Sequence, residues 1–304
     1  MTRVAFLGTP HEAVPTLEAL AESYEVGLVV TRADRPRGRS GRPQPPPVKD
    51  TTVALGLPIA QPESGAELMA SLRAHGPFDL GVVVAYGRIL SSEVLEMPAA
   101  GVLNVHFSLL PRWRGAAPVE RAIMEGDTMT GVTIIRLDEG LDTGPVLTAQ
   151  AVDIRPGETG GELKLRLARL GATLLLDTIP RYLSGELTPV AQVEEGVTYA
   201  HKISGEDRRL DAEGSAIDFV NRVRALAPSP GAILEIDGSP HKILEARSHP
   251  VAPDPGTWRS VDGVPVVAVG GEGVEIVRLQ PPGKRVQAGA DWLRGRRVEG
   301  GVVG

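Results

Sequence analysis

Asparagine and histidine stand two residues apart in one short apolar segment, and this spacing is suited to chemistry. Segment Val102–His106 has the composition of a strand. Side chains two residues apart lie on one face of a strand, so Asn104 and His106 point the same way. An asparagine amide can donate a hydrogen bond to an oxygen that becomes negative in a tetrahedral intermediate. A neutral imidazole can accept a proton from an attacking amine. The pair therefore predicts polar chemistry at a strand end.

An acidic, glycine-rich loop supplies the third candidate residue, Asp142. The loop 138–145 follows a predicted strand at 132–137 and precedes another. We expect neighbouring strands to end on one edge of the sheet, which would bring Asp142 to His106. A carboxylate there orients the imidazole and favours its protonated form. The chain has no cysteine and no Gly-x-Ser-x-Gly motif. The absence of these nucleophile patterns favours direct transfer of an acyl or formyl group to an external amine over formation of a covalent acyl-enzyme.

The elements that must position these residues follow an α/β pattern. Apolar, β-branched segments alternate with helical patterns, and they are predicted as strands at 3–8, 25–31, 80–85, 102–106 and 132–137. Near-continuous apolar strands between helices predict a doubly wound, mostly parallel, Rossmann-like sheet with both faces covered. A helix predicted at 161–178 closes this domain.

A second, smaller domain is expected after a Gly- and Pro-containing linker. A helix at 215–226 precedes short alternating strands, which are predicted at 232–236, 241–246, 264–268 and 274–279. Turn residues separate these strands at short intervals, which is typical of a small β-barrel of OB-like form. The predicted division is a catalytic domain at 1–180, a linker at 181–205 and a barrel at 206–304.

Composition narrows the class of protein. The 304 residues are 42% hydrophobic and 23% charged, as in soluble globular proteins, and no apolar run is long enough to span a bilayer. The amino terminus lacks the shape of a signal peptide, so a cytoplasmic protein is expected. The net charge of −6 does not indicate a nucleic-acid binder overall, but five arginines and one acid lie between residues 32 and 42. The six histidines show no spacing typical of metal ligands, and no metal is expected.

A longer pattern around the three candidates resembles the methionyl-tRNA formyltransferase family. It is Ser-Leu-Leu-Pro-Arg-Trp-Arg-Gly-Ala-Ala-Pro at 108–118, with Asn104 and His106 before it and Leu-Asp-Thr-Gly at 141–144 after it. Similar segments extend over nearly the whole chain, at 6–10, 34–39, 47–49, 84–87, 198–203 and 279–284. The Asn-x-His and Asp elements are shared by a wider family that uses 10-formyltetrahydrofolate. The Trp-Arg-Gly-Ala-Ala-Pro continuation, the arginine loop and the second domain narrow the resemblance.

The resemblance implies transfer of a formyl group from 10-formyltetrahydrofolate to the amino group of methionine on initiator tRNA. It implies that Asn104, His106 and Asp142 are catalytic. It assigns folate contacts to two segments, which comprise Ser108, Leu109, Leu110 and Pro111, and Val84, Ala85, Tyr86, Gly87, Ile89 and Leu90. It assigns tRNA contacts to the loop 34–47, through Arg35, Arg37, Arg39 and Arg42, and a supporting role to the barrel. The expected protein is a monomer with no membrane partner.

Two features of the sequence depart from the family pattern. Ser229 stands where relatives often have tryptophan, and the arginine loop has arginine where many have lysine, which binds phosphate with a different geometry.

Two other functions are alternatives to formylation of tRNA. One is that of a related folate-dependent formyltransferase or hydrolase that acts on a small molecule. The other is an RNA-binding module on an inactive α/β scaffold, against which the joint presence of Asn104, His106 and Asp142 argues.

Overall fold

A computed structural model describes residues 1–36, 41–296 and 298–304. These residues form two compact units. The first comprises Met1–Pro118, Thr130–Val152 and Lys164–Ala200, and the second comprises Val119–Met129, Asp153–Leu163 and His201–Gly304. The division at 180 and 205 expected from the sequence remains a prediction.

Strands and helices alternate through the first two hundred residues. The strands are β1 (Arg3–Gly8), β2 (Glu25–Val30), β3 (Arg35–Pro36), β4 (Pro43–Gln44), β5 (Ile59–Ala60), β6 (Leu80–Val84), β7 (Val102–His106), β8 (Arg114–Gly115), β9 (Met129–Arg136), β10 (Val146–Asp153) and β11 (Tyr199–Ala200). The helices are a 3-10 turn at His11–Ala13, then α1 (Val14–Ser23), α2 (Pro47–Ala54), α3 (Gly65–His75), α4 (Ser92–Leu95), α5 (Pro118–Met124) and α6 (Gly160–Leu183).

The central sheet of the first unit has the strand order β10-β9-β7-β6-β1-β2-β5. The pairs β5–β2, β2–β1, β1–β6 and β6–β7 are parallel, which confirms the predicted mostly parallel α/β sheet. Every residue of β6 and of β7 is buried. Such strands have near-continuous apolar sequences because both faces of the sheet are covered.

Strand β9 departs from this parallel arrangement. It pairs antiparallel with β7, with Leu103 opposite Arg136 and His106 opposite Thr133. Strand β9 therefore ends beside the start of β7. The expectation that β9 ends on the same sheet edge as His106 is wrong, because that argument holds only for parallel strands. The loop after β9 must turn back toward β7 for Asp142 to reach it.

Helix α6 covers the side of β7 opposite Asn104 and His106. A Cβ atom at Gly171 would lie 2.5 Å from Cγ1 of Val105, so only glycine permits this close approach of helix and strand. Val105 alternates with Asn104 and His106 along the strand and points to the other face. Helix packing on that face fixes the strand while its polar face stays open to the site.

The second unit contains a helix and an antiparallel sheet. Its elements after residue 201 are α7 (Ala216–Leu226), β12 (Ala232–Ile236), β13 (Ser239–His249), β14 (Thr257–Val261), β15 (Val264–Val269), β16 (Glu272–Gln280), β17 (Gln287–Ala288), α8 (Gly289–Arg294) and β18 (Gly300–Val302). The strand order is β12-β13-β16-β15-β14-β18, and β17 pairs with β16. An antiparallel bridge from Ile236 to Val303 joins the two ends of this order. The predicted small barrel is confirmed, although β14, β18 and α8 were not predicted.

Candidate active site

The structure brings Asn104, His106 and Asp142 together. The Asn104 amide Nδ2 donates to Oδ1 of Asp142 at 3.3 Å, and Nδ1 of His106 lies 3.6 Å from Oδ2 of Asp142. Asn104 and His106 are buried, and the Asp142 side chain is 14% exposed. One carboxylate thus faces both polar side chains of β7, as their spacing of two residues requires.

The second nitrogen of His106 identifies its tautomer. Nε2 lies 2.9 Å from the backbone carbonyl oxygen of Trp113. A carbonyl only accepts hydrogen bonds, so Nε2 must have the hydrogen. In the neutral imidazole Nδ1 is then the basic atom, and it faces the Asp142 carboxylate. At 3.6 Å the two atoms are too far apart for a hydrogen bond, and proton uptake at Nδ1 would create an attractive ion pair.

The loop after β9 has an internal structure that returns Asp142 to β7. The Asp138 carboxylate accepts from the Gly140 backbone at 3.0 Å and from the Thr143 hydroxyl at 2.7 Å, which closes a compact turn. Asp142 has a φ of 54°, in the left-handed region that asparagine and aspartate tolerate best among residues with a side chain. This turn therefore brings Asp142 back to β7, which the direction of β9 alone does not do.

The opposite wall of the site is the loop after β7. The Ser108 hydroxyl donates to the carbonyl of Arg112 at 2.6 Å, and Thr133 Oγ1 donates to the carbonyl of Ser108 at 2.7 Å. The loop ends at Gly115, whose backbone N–H donates to Oδ2 of Asp142 at 2.8 Å. A backbone donor thus holds the carboxylate oxygen that faces His106.

Residues that were predicted to belong to the linker stabilise this loop through strand pairing and hydrogen bonds. Strand β11 pairs in parallel with β8, with Ala200 opposite Gly115. The backbone N–H of Trp113 donates to the Thr198 hydroxyl, and that of Arg114 donates to the Thr198 carbonyl, both at 2.9 Å. No chemical feature of the sequence singled out Thr198, although the segment 198–203 was among those that resembled the family.

The three polar residues open into a cavity of about 500 Å³. Its walls come from the ends of β6 and β7 and from the Asp142 loop. Of the predicted folate contacts, the cavity walls include Ala85, Tyr86, Gly87, Ile89 and Leu90. Leu137 and Leu141 also line it and were not among the predicted contacts. Such a cavity, lined mostly by apolar residues and by a few polar side chains, suits a small organic ligand.

The remaining predicted folate contacts lie elsewhere among the described residues. Val84 is fully buried in β6 and Ser108 is fully buried in the loop, where its hydroxyl is used internally. Leu109, Leu110 and Pro111 are partly exposed, but they do not line this cavity. The Leu110 backbone N–H donates to Thr133 Oγ1 at 3.2 Å, so this segment shapes the loop.

Two apolar side chains at the cavity are conspicuously exposed. Ile89 is 90% exposed and Leu141 is 52% exposed. Tyr86, which also lines the cavity, is buried, and burial raises the pKa of its phenol. An exposed isoleucine beside an apolar cavity is a surface that a bound ligand could cover.

The arginine loop is described only in part. Arg35 lies in β3, which pairs with β4, and both Arg35 and Arg42 are exposed. Arg37 and Arg39 lie outside the described residues. Asp34, the one acid of this region, accepts from Lys49 at 2.8 Å and from Gln61, and these bonds lower the pKa of its carboxyl group. Its negative charge is thus engaged by a lysine that lies outside the loop.

Two kinds of site are missing from the described part of the chain. It contains no group of three His, Cys, Asp or Glu residues that could hold a metal ion. It also contains no helix long and apolar enough to cross a membrane.

Comparisons with known proteins cover almost the whole sequence. A family model described as formyl transferase matches residues 2–179, and one described as formyl transferase, C-terminal domain matches residues 202–297. Methionyl-tRNA formyltransferase of Halorhodospira halophila is 48% identical, with 97% of each chain covered. That of Aromatoleum aromaticum is 47% identical, over 98% of this chain and 96% of the other. The solved structure of WlaRD, a sugar 3N-formyl transferase, in the presence of dTDP and 5-N-formyl-THF, has a fold similar to this one. Its TM-score is 0.67 at 16% identity, over 94% of this chain and 99% of the other.

Proposed function

Because this chain belongs to the formyl transferase family, and within it to the methionyl-tRNA formyltransferases, we propose that its cavity is where a formyl group passes from 10-formyltetrahydrofolate to the amino group of methionine on initiator tRNA. The chain is an enzyme, and the family resemblance noted from its motifs is confirmed. The observation that supports the site is the meeting of Asn104, His106 and Asp142 in the wall of the cavity.

Asn104 stabilises the oxygen of the formyl group as it becomes negative. The amine nitrogen attacks the formyl carbon, the bond to the folate nitrogen breaks, and the new amide forms without an enzyme-bound intermediate. The Asn104 amide has two N–H donors, and one reaches Asp142 at 3.3 Å. The other is available to the reacting oxygen. A fixed donor in a site largely closed to water stabilises developing charge without reorganisation.

His106 accepts the proton that moves during the reaction, and Asp142 stabilises the protonated imidazole. The attacking amine must lose one proton, and the folate nitrogen that leaves must gain one. Nδ1 of His106 is the basic atom, because Nε2–H is used by the Trp113 carbonyl. The Asp142 carboxylate, held by the Gly115 N–H, stabilises the positive imidazolium that forms.

The cavity takes the folate. Ala85, Tyr86, Gly87, Ile89 and Leu90 form one wall, and backbone groups after β6 provide donors and acceptors for a heterocycle. The buried residues Val84 and Ser108 support the walls of the cavity. The partly exposed residues of the loop contact the ligand at its surface, and they are Leu109, Leu110 and Pro111. These assignments account for one apolar cavity that ends at the three polar residues.

The arginine loop and the barrel bind the tRNA. Arg35 and Arg42 are exposed on the loop, and Arg37 and Arg39 belong to the same stretch of sequence. Arginine side chains neutralise phosphates and release counterions, which suits tRNA binding by a protein of net charge −6. The enzyme acts as a monomer in the cytoplasm, where charged initiator tRNA is made.

The two other functions considered from the sequence have less support. A formyltransferase or hydrolase specific for small molecules would not account for relatives at 47–48% identity over nearly the full chain that are methionyl-tRNA formyltransferases. An inactive RNA-binding scaffold would not need Asn104, His106 and Asp142 beside one cavity.

The test is formylation of charged tRNA by the purified protein. Initiator and elongator methionyl-tRNA are each incubated with 10-formyltetrahydrofolate, and formylmethionine is measured after hydrolysis of the ester bond. We expect rapid formylation of the initiator and little of the elongator. Binding or consumption of the folate without formylation of either tRNA would contradict the proposed acceptor.

A further inference from the structure

We propose that Gln192 is a positioning residue for this reaction, which fixes the backbone of Asp142 and so the direction of its carboxylate. The inference rests on the proposed function. Gln192 was not among the candidate residues, because it lies in the stretch expected to be a linker. Its amide nitrogen donates to the backbone carbonyl of Asp142 at 2.7 Å and to that of Gly144 at 2.8 Å. Both amide hydrogens are thus used on the catalytic loop.

The other end of the Gln192 amide is also held. Its Oε1 accepts from Nε of Arg114 at 3.0 Å and from Nη2 of Arg114 at 2.8 Å. Arg114 is 4% exposed, so this guanidinium is bound by an amide oxygen inside the protein. Charge-assisted bonds of this fork geometry fix both partners in one orientation. They also settle which end of the Gln192 amide faces Asp142, since an arginine can only donate.

Arg114 adjoins the residue that holds the carboxylate. The next residue, Gly115, donates its N–H to Oδ2 of Asp142 at 2.8 Å. The segment 114–115 therefore holds Asp142 in two ways. Gly115 binds the side chain directly, and Arg114 binds the backbone of the same residue through Gln192. A shift of either bond would turn the carboxylate relative to Asn104 and His106.

The backbone conformation of Asp142 explains why such support is needed. A φ of 54° is uncommon for a residue with a side chain, and such a conformation persists when its surroundings determine it. Gln192 binds the carbonyl of that same residue. Without those bonds the loop can relax toward other conformations, and a fraction of molecules no longer has the 3.6 Å approach of Oδ2 to His106.

The chain offers a substitution that separates the two ends of the amide. Gln192→Glu keeps the size and the acceptor for Arg114, but it places a carboxylate oxygen against two carbonyl oxygens. Gln192→Met keeps the approximate volume and removes all four bonds. Gln150→Glu is the matched control, because Gln150 is exposed in β10 and outside the site. Each variant is assayed for the kcat of formylation, for thermal unfolding and for the Kd of 5-formyltetrahydrofolate.

We expect kcat to fall on the order of tenfold to a hundredfold in both Gln192 variants, as for misplacement of a catalytic group by about 1 Å. The rise in Kd should be smaller than the fall in kcat. A merely structural role would lower the amount of folded enzyme without lowering the kcat of the molecules that remain folded. Gln150→Glu should match the wild type in all three measurements.

Two results would overturn the inference while leaving the proposed function intact. One is a wild-type kcat in both Gln192 variants. The other is failure of both variants to fold, which would make Gln192 a structural residue. An inactive wild-type protein would instead contradict the proposed function, so the two failures are distinguishable.

Discussion

The backbone N–H of Gly115 donates to Oδ2 of Asp142 at 2.8 Å, so a glycine in the loop after β7 holds the carboxylate that faces His106. Gly115 has a φ of 122°, and a Cβ atom there would lie 2.8 Å from the carbonyl oxygen of Ala200. The glycine thus permits both the pairing of β8 with β11 and the bond to the Asp142 carboxylate.

Replacement of Gly115 by alanine should therefore lower activity as well as stability. The Cβ atom meets a backbone oxygen, so the loop must move away from β11 and away from Asp142. Gly185→Ala is the matched control, since Gly185 has a φ of 78° and open space around its Cα. Both variants should be destabilised by about 1 kcal/mol from backbone strain, and only Gly115→Ala should have a reduced formylation rate. Equal kcat values in the two variants would argue against the role of Gly115.

Replacement of Asn104 by alanine should lower kcat on the order of 100-fold to 1000-fold, as for removal of one oxyanion donor. The Kd of 5-formyltetrahydrofolate should change little, because the donor acts mainly on the charge that develops during transfer. Single-turnover formylation and fluorescence titration separate the two quantities. A variant with a weakened Kd and an unchanged kcat would place Asn104 in binding rather than in catalysis.

Replacement of Ile89 by serine should raise the KM for the folate several-fold without lowering the melting temperature. The side chain is 90% exposed in the free protein, so folding gains little from it, and a ligand in the cavity would cover it. Val193→Ser is the control, as Val193 is 64% exposed and does not line the cavity. If the two substitutions affect KM equally, the ligand does not contact Ile89.

Replacement of Arg35 and Arg42 by glutamine should weaken tRNA binding and its dependence on salt. The slope of log K against log salt should become shallower by about 0.7–0.9 for each phosphate that the protein no longer neutralises. Arg169→Gln, on the exposed side of α6, is the control for the change of charge. Filter binding of initiator tRNA at several salt concentrations measures the slope. Identical slopes in the wild type and the double variant would exclude phosphate binding by these arginines.

The Arg121–Asp207 ion pair should make stability depend on pH in the acidic range. Two hydrogen bonds, of 2.7 and 2.9 Å, and the positive charge of Arg121 hold the pKa of the Asp207 carboxyl far below its ordinary value of 3.8. A carboxyl group whose pKa is lower in the folded than in the unfolded state stabilises the protein at pH values above its ordinary pKa. This stabilisation is lost as the pH falls below the ordinary pKa toward the folded-state value.

The measurement is the free energy of unfolding of the wild type and Asp207→Asn against pH. At pH 7 the variant should be about 1 kcal/mol less stable, since both side chains are 21% exposed and solvent screens the pair. The difference should shrink as the pH falls below 3.8. Glu213→Gln, at an exposed position, is the control for removal of one carboxylate. A difference that stays constant down to the lowest pH would mean that the carboxylate charge is not involved.

Most strands of the central sheet and the chemical types at the site could be predicted from the order of residues alone. Buried strands such as β6 and β7 are recognisable because covered faces require continuous apolar residues, and the bounds of β1, β7 and β12 agree with the predicted ones. The spacing of Asn104 and His106 places both on one face, because strand side chains alternate. The motifs around them were specific enough to indicate the family.

The way in which Asp142 reaches that face depends on the three-dimensional fold. Strand β9 is antiparallel to β7, and the direction of a strand pair is not encoded in the apolar pattern of either strand. The return of Asp142 depends on bonds between residues far apart in sequence, from Gly115 and Gln192, the second being 50 positions away. A lone glutamine in a polar stretch has no periodicity to mark it. Its proposed role exists only when the fold brings its amide between Arg114 and the loop that contains Asp142.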